Sequence, residues 1–222
     1  MKKINLKKVI ATVSTATLMC TSGAFFPNAI LSNAASGNDI CTLAQNDVGK
    51  DRSQVGCSGS GDWCALYATK TAKKAGIDLS YCRRPDSCSE LSYDFLKAGN
   101  YHSKKTQAYK TYQTALNVSA NTLKNAYDPN YIPKPGDFIL YDWNASETYS
   151  SEPQPDHIGI VEYVSGGRVY TIEGNRGGCS TVTRRNIKLD DDLIHGYVSF
   201  GGSSYATLPG DLDLNGQVDL TD

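Results

Sequence analysis

Three residue types in this chain can together break an amide bond. Cleavage by a cysteine needs a thiolate, a base that forms it and returns the proton, and a group that orients the base. Cys64 stands in GSGDWCALYATKTAKKAGI (59–77), directly after Trp63, where a Gly/Ser-rich segment turns into a helix pattern. A cysteine in the first turn of a helix faces unpaired backbone N–H groups and a dipole equivalent to about half a positive charge, which favour the anion. A free thiol, with a pKa of about 8.5, is mostly protonated at neutral pH, and a neighbouring imidazolium completes its ionisation.

The chain has three histidines. His102 lies in an irregular Tyr-rich segment, and His195 starts the run IHGYVSF. His157 opens HIGIVEYV directly after the loop EPQPD, so it is both held by a strand and reachable from outside. The next run ends in YTIEGN, where strand alternation puts Thr171, Glu173 and Asn175 on one face. A turn at SGGR makes the two runs a hairpin, so Glu173 or Asn175 can come opposite His157. A carboxylate or amide there accepts the ring N–H and fixes the tautomer.

The elements that must carry these groups follow from periodicity and punctuation. TLAQNDVGK (42–50) and DWCALYATKTAKKAG (62–76) read as helices. The second has Asp62 as an N-cap type, Lys73 and Lys74 in its last turn, and Gly76 as its stop. SELSYDFLKAGN (89–100) reads as a third helix between Ser89 and Gly99. Residues 101–131 carry a weak pattern, with a short helix at SANTLKNAY. After YIPKPGD come short β-branched and aromatic runs, FILYDW, HIGIVEYV, RVYTIEG, STVTRRNIKL and IHGYVSF, with an exposed polar loop at 144–156. Helices first and antiparallel strands later predict an α+β fold.

Bulk properties bound the setting. The first eight residues hold Lys2, Lys3, Lys7 and Lys8, an apolar run follows, and small residues cluster around SNAASG. That order is a secretory signal peptide (1–35), with cleavage expected near Ala34 or Ala35. Its apolar part is too short to be a permanent membrane span, and the bulky Met19 argues against a lipid anchor at Cys20. Without those four lysines the 22 basic residues fall to 18 against 23 acidic ones, a net charge of −5. No basic run survives, which argues against nucleic acid as a partner. About 185 residues bury roughly 70% of their unfolded surface, enough to fold without covalent staples as a monomer.

Six cysteines remain: Cys41, Cys57, Cys64, Cys82, Cys88 and Cys179. In an exported chain the default is three disulfides, and Cys82–Cys88 and Cys41–Cys57 are plausible short closures. No C-x-x-C spacing points to zinc. If Cys64 is reactive, Cys179 lacks an obvious partner; if Cys64 is paired with Cys57 or Cys179, it is no nucleophile.

DWCALYATKTAKKAGI, PKPGDFILYDW and DHIGIVEYVSGGRVYTIEGN together resemble the CHAP domain, the cysteine, histidine-dependent amidohydrolase/peptidase, within the wider NlpC/P60 and papain-like group. The resemblance covers roughly residues 40–200. It implies a papain-like fold that cleaves amide bonds of peptidoglycan without a metal, with Cys64, His157, Glu173 and Asn175 as its catalytic residues. A long insertion between helices and strands, and the many cysteines, depart from a compact member. A non-catalytic wall-binding module of the same fold and a papain-like protease acting on proteins are the alternatives.

GGSSYATLP (201–209) reads as a linker to GDLDLNGQVDLTD. That tail places Asp211, Asp213, Asn215, Gly216, Asp219 and Asp222 at positions 1, 3, 5, 6, 9 and 12 of a calcium loop. Oxygen ligands at alternate positions wrap one Ca2+, and the glycine allows the sharp turn. The pattern resembles the first repeat of a dockerin (210–222), which implies a cohesin of a cellulosomal scaffold as partner and an extracellular or cell-surface location.

Overall fold

The computed structural model describes residues 36–104, 126–143 and 155–201. The expected leader, nearly all of the short helix at 119–127, most of the loop at 144–156, the linker beyond Gly201 and the calcium loop lie outside the described residues.

Among the described residues three α-helices precede the main strands. Helix α1 (Gly37–Asp47) starts earlier than its spacing predicts, because the Asp39 carboxylate accepts from the Ser36 backbone N–H and hydroxyl at 3.0 and 2.9 Å. Helix α2 (Cys64–Lys74) begins at Cys64, with Trp63 at the cap position and no side-chain cap. Helix α3 (Cys88–Ala98) is capped by Ser87, two residues earlier than Ser89, and stops at Gly99 with φ 84°. Left-handed backbone there is free for a residue without Cβ.

The strands are β1 (Tyr101–Ser103), β2 (Phe138–Tyr141), β3 (His157–Ser165), β4 (Arg168–Glu173), β5 (Thr183–Lys188) and β6 (Ile194–Val198). They form one six-stranded antiparallel sheet in the order β1-β6-β2-β3-β4-β5. Strand β1, in the Tyr-rich segment, was not legible as a strand. The α+β architecture matches the expectation from the order of patterns.

Alternation along each strand separates two cores. Phe138, Leu140, Ile158, Ile160, Ile172 and Val198 face the helices, where Ile40, Ala44, Ala68, Leu91 and Phe95 meet them. Ile139, Tyr141, Val161, Val169, Ile194 and Tyr197 make a second cluster on the other face. Strand β2 is buried throughout, which explains its unbroken FILY run. Burying a side chain of this size stabilises by about 1.5–3 kcal/mol. Small residues on α2, Ala65, Ala68 and Ala72, are almost wholly buried and let that helix lie close to its neighbours. On the helix side a polar clasp joins α1 to the sheet: Glu162 of β3 takes Arg184 of β5 bidentately at 2.9–3.1 Å and Gln45 of α1 at 3.2 Å.

Candidate active site

Cys64 is the first residue of α2, where the leading backbone N–H groups of a helix have no partner within the helix. Its sulfur takes the Ala65 backbone N–H, a hydrogen bond with His157, and the Cys88 sulfur at 3.7 Å. These contacts oppose burial and hold the thiol down at about 5; the Cys88 hydrogen bond contributes most, followed by His157. Cys41 shows the contrast. It is a buried thiol beside Glu162, and burial pushes it up to about 12.

His157 opens β3, so its ring stands at the end of the sheet, within reach of the helix layer. Its Nε2–H donates to Glu173 Oε2 at 3.0 Å. With Nε2 spent, Nδ1 is the nitrogen that serves the Cys64 sulfur. Burial depresses the imidazolium, but hydrogen bonds to Cys64 and Glu173 outweigh it and raise the ring to about 9. Tyr141, paired with His157 across β2 and β3, stacks on the ring at 5.7 Å between centroids.

Glu173 ends β4 and is 1% exposed. Burial alone would raise its carboxyl. The His157 hydrogen bond and charge, together with the Thr171 and Tyr141 hydroxyls, reverse that and hold it below the usual range. Oε1 accepts from Thr171 Oγ1 at 2.6 Å and Tyr141 OH at 2.8 Å, while Arg176 Nε lies 3.4 Å from Oε2. A carboxylate saturated in this way keeps its charge and direction inside the protein. Its route to His157 passes over Gly159, where an added Cβ would lie 2.8 Å from Glu173 Cγ.

Asn175 does not share this role. Strand β4 stops at Glu173 and Asn175 turns left-handed at φ 61°, so the alternation that would carry it toward His157 ends first. Its Nδ2 donates instead to Asp62 Oδ1 at 2.7 Å. Asp62 is therefore a tie between the α2 entrance and the β4 exit rather than a helix cap. Gly174 lets that exit lie on Trp63, since a Cβ there would come 2.6 Å from the indole.

An open cleft of about 390 Å³ runs past these groups, lined by Asp62, Cys64, Trp143, Asp156, His157, Asn175, Arg176 and the glycines 177 and 178. Arg176 lies 4.0 Å over the Trp143 ring, and Trp143 stacks on Tyr141. The other histidines are engaged elsewhere. His195 bonds Tyr101, and His102 meets Ser199 at 3.0 Å and stacks on Tyr131.

The expected disulfides are absent: all six described cysteines are free thiols. Cys41 Sγ turns to the Glu162 carbonyl and Cys57 Sγ to the Val55 carbonyl, so they do not meet. Cys88 opens α3 and points at Cys64 rather than back at Cys82. Cys179 receives Arg185 at 3.7 Å. Among the described residues no group of three or more His, Cys, Asp or Glu is placed to hold a metal ion.

Sequence reasoning missed Cys88, Tyr141 and Arg176. Tyr141 had a signal, since it closes the run that pairs with HIGIV; Thr171 was already visible on the Glu173 face. Nothing in the spacing singled out Cys88, 24 residues from Cys64, or Arg176. Chemically, the assembled group can hold a thiolate–imidazolium pair, attack a carbonyl carbon, and return a proton to a leaving amine.

No curated protein matches the chain. Among solved structures, Ly7917 and Ly7917 with the hydrolysing product of MDP are each 17% identical with a TM-score of 0.42; they cover 74% and 75% of this chain, and 62% and 64% of their own. NlpC1 from Trichomonas vaginalis is 13% identical with a TM-score of 0.37, covering 78% of this chain and 45% of its own. The chain thus spans less than two thirds of the length of each. The CHAP domain matches residues 56–175, just over half of the chain. Both Cys64 and His157 fall inside that span, and the chain belongs to the CHAP domain family.

Proposed function

We infer that this protein is a cysteine amidohydrolase that cleaves amide bonds of peptidoglycan. The observation that carries the reading is the hydrogen-bonded series Cys64, His157, Glu173 opening on a cleft. The Cys64 thiolate attacks the carbonyl carbon, and the oxygen that becomes negative is met by the Cys64 backbone N–H at the helix start. His157 gives its proton to the departing amine, leaving a thioester on Cys64. The neutral ring then takes a proton from water, the hydroxide attacks the thioester, and the acid is released as the Cys64 thiolate leaves beside the protonated ring, which restores the starting pair. Glu173 keeps the ring oriented and stabilises its charged form, as the orienting member of a triad does.

Family membership supports the amide-cleaving chemistry; peptidoglycan as substrate rests on the family resemblance. Export is proposed from the N-terminal leader pattern. Attachment to a cohesin-bearing scaffold is proposed from the dockerin-like tail, with Asp211, Asp213, Asn215, Asp219 and Asp222 as Ca2+ ligands. Clearing of purified cell walls, followed as turbidity, with mass spectrometry of the released fragments, tests the reading. Wild type is expected to clear walls and release fragments with a new amine and a new carboxylate, and Cys64→Ala to do neither. Equal clearing by Cys64→Ala would remove Cys64 from the mechanism.

A further inference from the structure

Cys88 is a second thiol placed on the nucleophile. Its sulfur lies 3.7 Å from Cys64 Sγ, and each cysteine is the first residue of its own helix, α2 or α3. Both are buried, at 4% and 7% exposure, yet Cys64 borders the open cleft. A disulfide has an S–S length of about 2.05 Å, so the sulfurs need to close by about 1.7 Å to form one. The unpaired N–H groups at the α2 start favour the Cys64 thiolate, while the hydrogen bond to Cys64 and burial raise the Cys88 thiol well above its usual value, so Cys88 stays the protonated partner until Cys64 has reacted. The four other described cysteines do not share this arrangement. Cys41 and Cys57 turn to backbone carbonyls, and Cys179 sits against Arg185.

We propose that Cys64 and Cys88 are a dithiol site that low-molecular-weight disulfides oxidise to an intramolecular disulfide, which reversibly removes the nucleophile. The inhibitory consequence rests on Cys64 being the nucleophile; the disulfide itself does not. The Cys64 thiolate attacks one sulfur of the small disulfide, forming a mixed disulfide and expelling one thiolate. Cys88 then loses its proton and attacks the Cys64 sulfur, expelling the second small thiol. The net change is one protein dithiol and one small disulfide converted to one protein disulfide and two small thiols, so two electrons and two hydrogens leave the protein. A thiolate already formed at neutral pH makes Cys64 the first to react, and the adjacent Cys88 is the resolving thiol.

Glutathione disulfide added to the purified full-length protein tests this, with free thiols then blocked and the protein read by intact mass and peptide mapping. The expected result for wild type is a loss of two hydrogens without a lasting adduct, and a Cys64–Cys88 linked peptide. Cys88→Ser, lacking the resolving thiol, is expected to keep one glutathione on Cys64. Wild type that instead keeps the adduct, leaves Cys64 open to alkylation, or links Cys64 to another cysteine overturns the proposal. The wild-type peptide map stands as the test even if Cys88→Ser does not fold. Wall clearing is expected to fall about tenfold or more on oxidation and to return with dithiothreitol. Full clearing by protein shown to carry the Cys64–Cys88 link would overturn the reading of Cys64 as nucleophile while leaving the disulfide standing.

Discussion

Glu173→Gln isolates the contribution of one charge. The substitution keeps the size and reach of the side chain, so the contacts over Gly159 and with Thr171 and Tyr141 are retained in shape. The amide nitrogen cannot face His157 Nε2–H, because both are donors. It must turn toward the Thr171 and Tyr141 hydroxyls, which can rotate to accept, leaving the amide oxygen for His157. The His157 hydrogen bond survives at a length near 3.0 Å but loses its anionic acceptor. A charge-assisted bond contributes about 1.5–3 kcal/mol against about 0.5–1.5 kcal/mol for a neutral one. The difference, about 1–1.5 kcal/mol, is about one pKa unit off the imidazolium. Removing the charge also leaves Arg176, 3.4 Å away, without its anion, which adds to the disfavour of a charged ring. The expectation is an alkaline limb shifted about one unit lower, so that kcat/KM falls about fivefold to tenfold at and above the wild-type limb and little at neutral pH. Initial clearing rates across pH, paired with NMR titration of the His157 ring, measure both. A variant with unchanged rate and an unshifted ring titration would refute the claim that Glu173 charge holds His157 protonated.

Three further outcomes are expected. Activity against pH should be bell-shaped: it rises through about 5 as the Cys64 thiol ionises and falls through about 9 as His157 loses the proton its leaving group needs, and a monotonic profile would contradict the ion pair. Gly159→Ala drives a Cβ to 2.8 Å from Glu173 Cγ and should cost about 1–3 kcal/mol of stability by overpacking, with a larger loss of kcat than of KM; thermal unfolding and kinetics measure it. Asn175→Ala removes the tie to Asp62 but nothing that touches His157, so the alkaline limb should stay in place while the rate falls by less than for Glu173→Ala; a shifted limb would return Asn175 to the orienting role.

The sequence by itself determined the α+β order, the hairpin that carries His157 and Glu173, and the candidate status of Cys64. Those are local matters: a strand alternates with period two, a helix start exposes N–H groups, and two glycines at 166 and 167 with positive φ turn one strand into the next. Element boundaries were readable to within a few residues, except where side chains chose other partners. Asp62 looked like a cap and became a tie to Asn175; Ser89 looked like a cap and yielded to Ser87. Tertiary structure alone decided which carboxylate or amide orients His157. Only three-dimensional packing sets where β4 ends and how Gly159 opens a path for the Glu173 side chain. It also decided the fate of the cysteines. Pairing depends on where sulfurs lie in space, and the fold turns Cys88 toward Cys64, a contact between two helix starts that no spacing along the chain encodes.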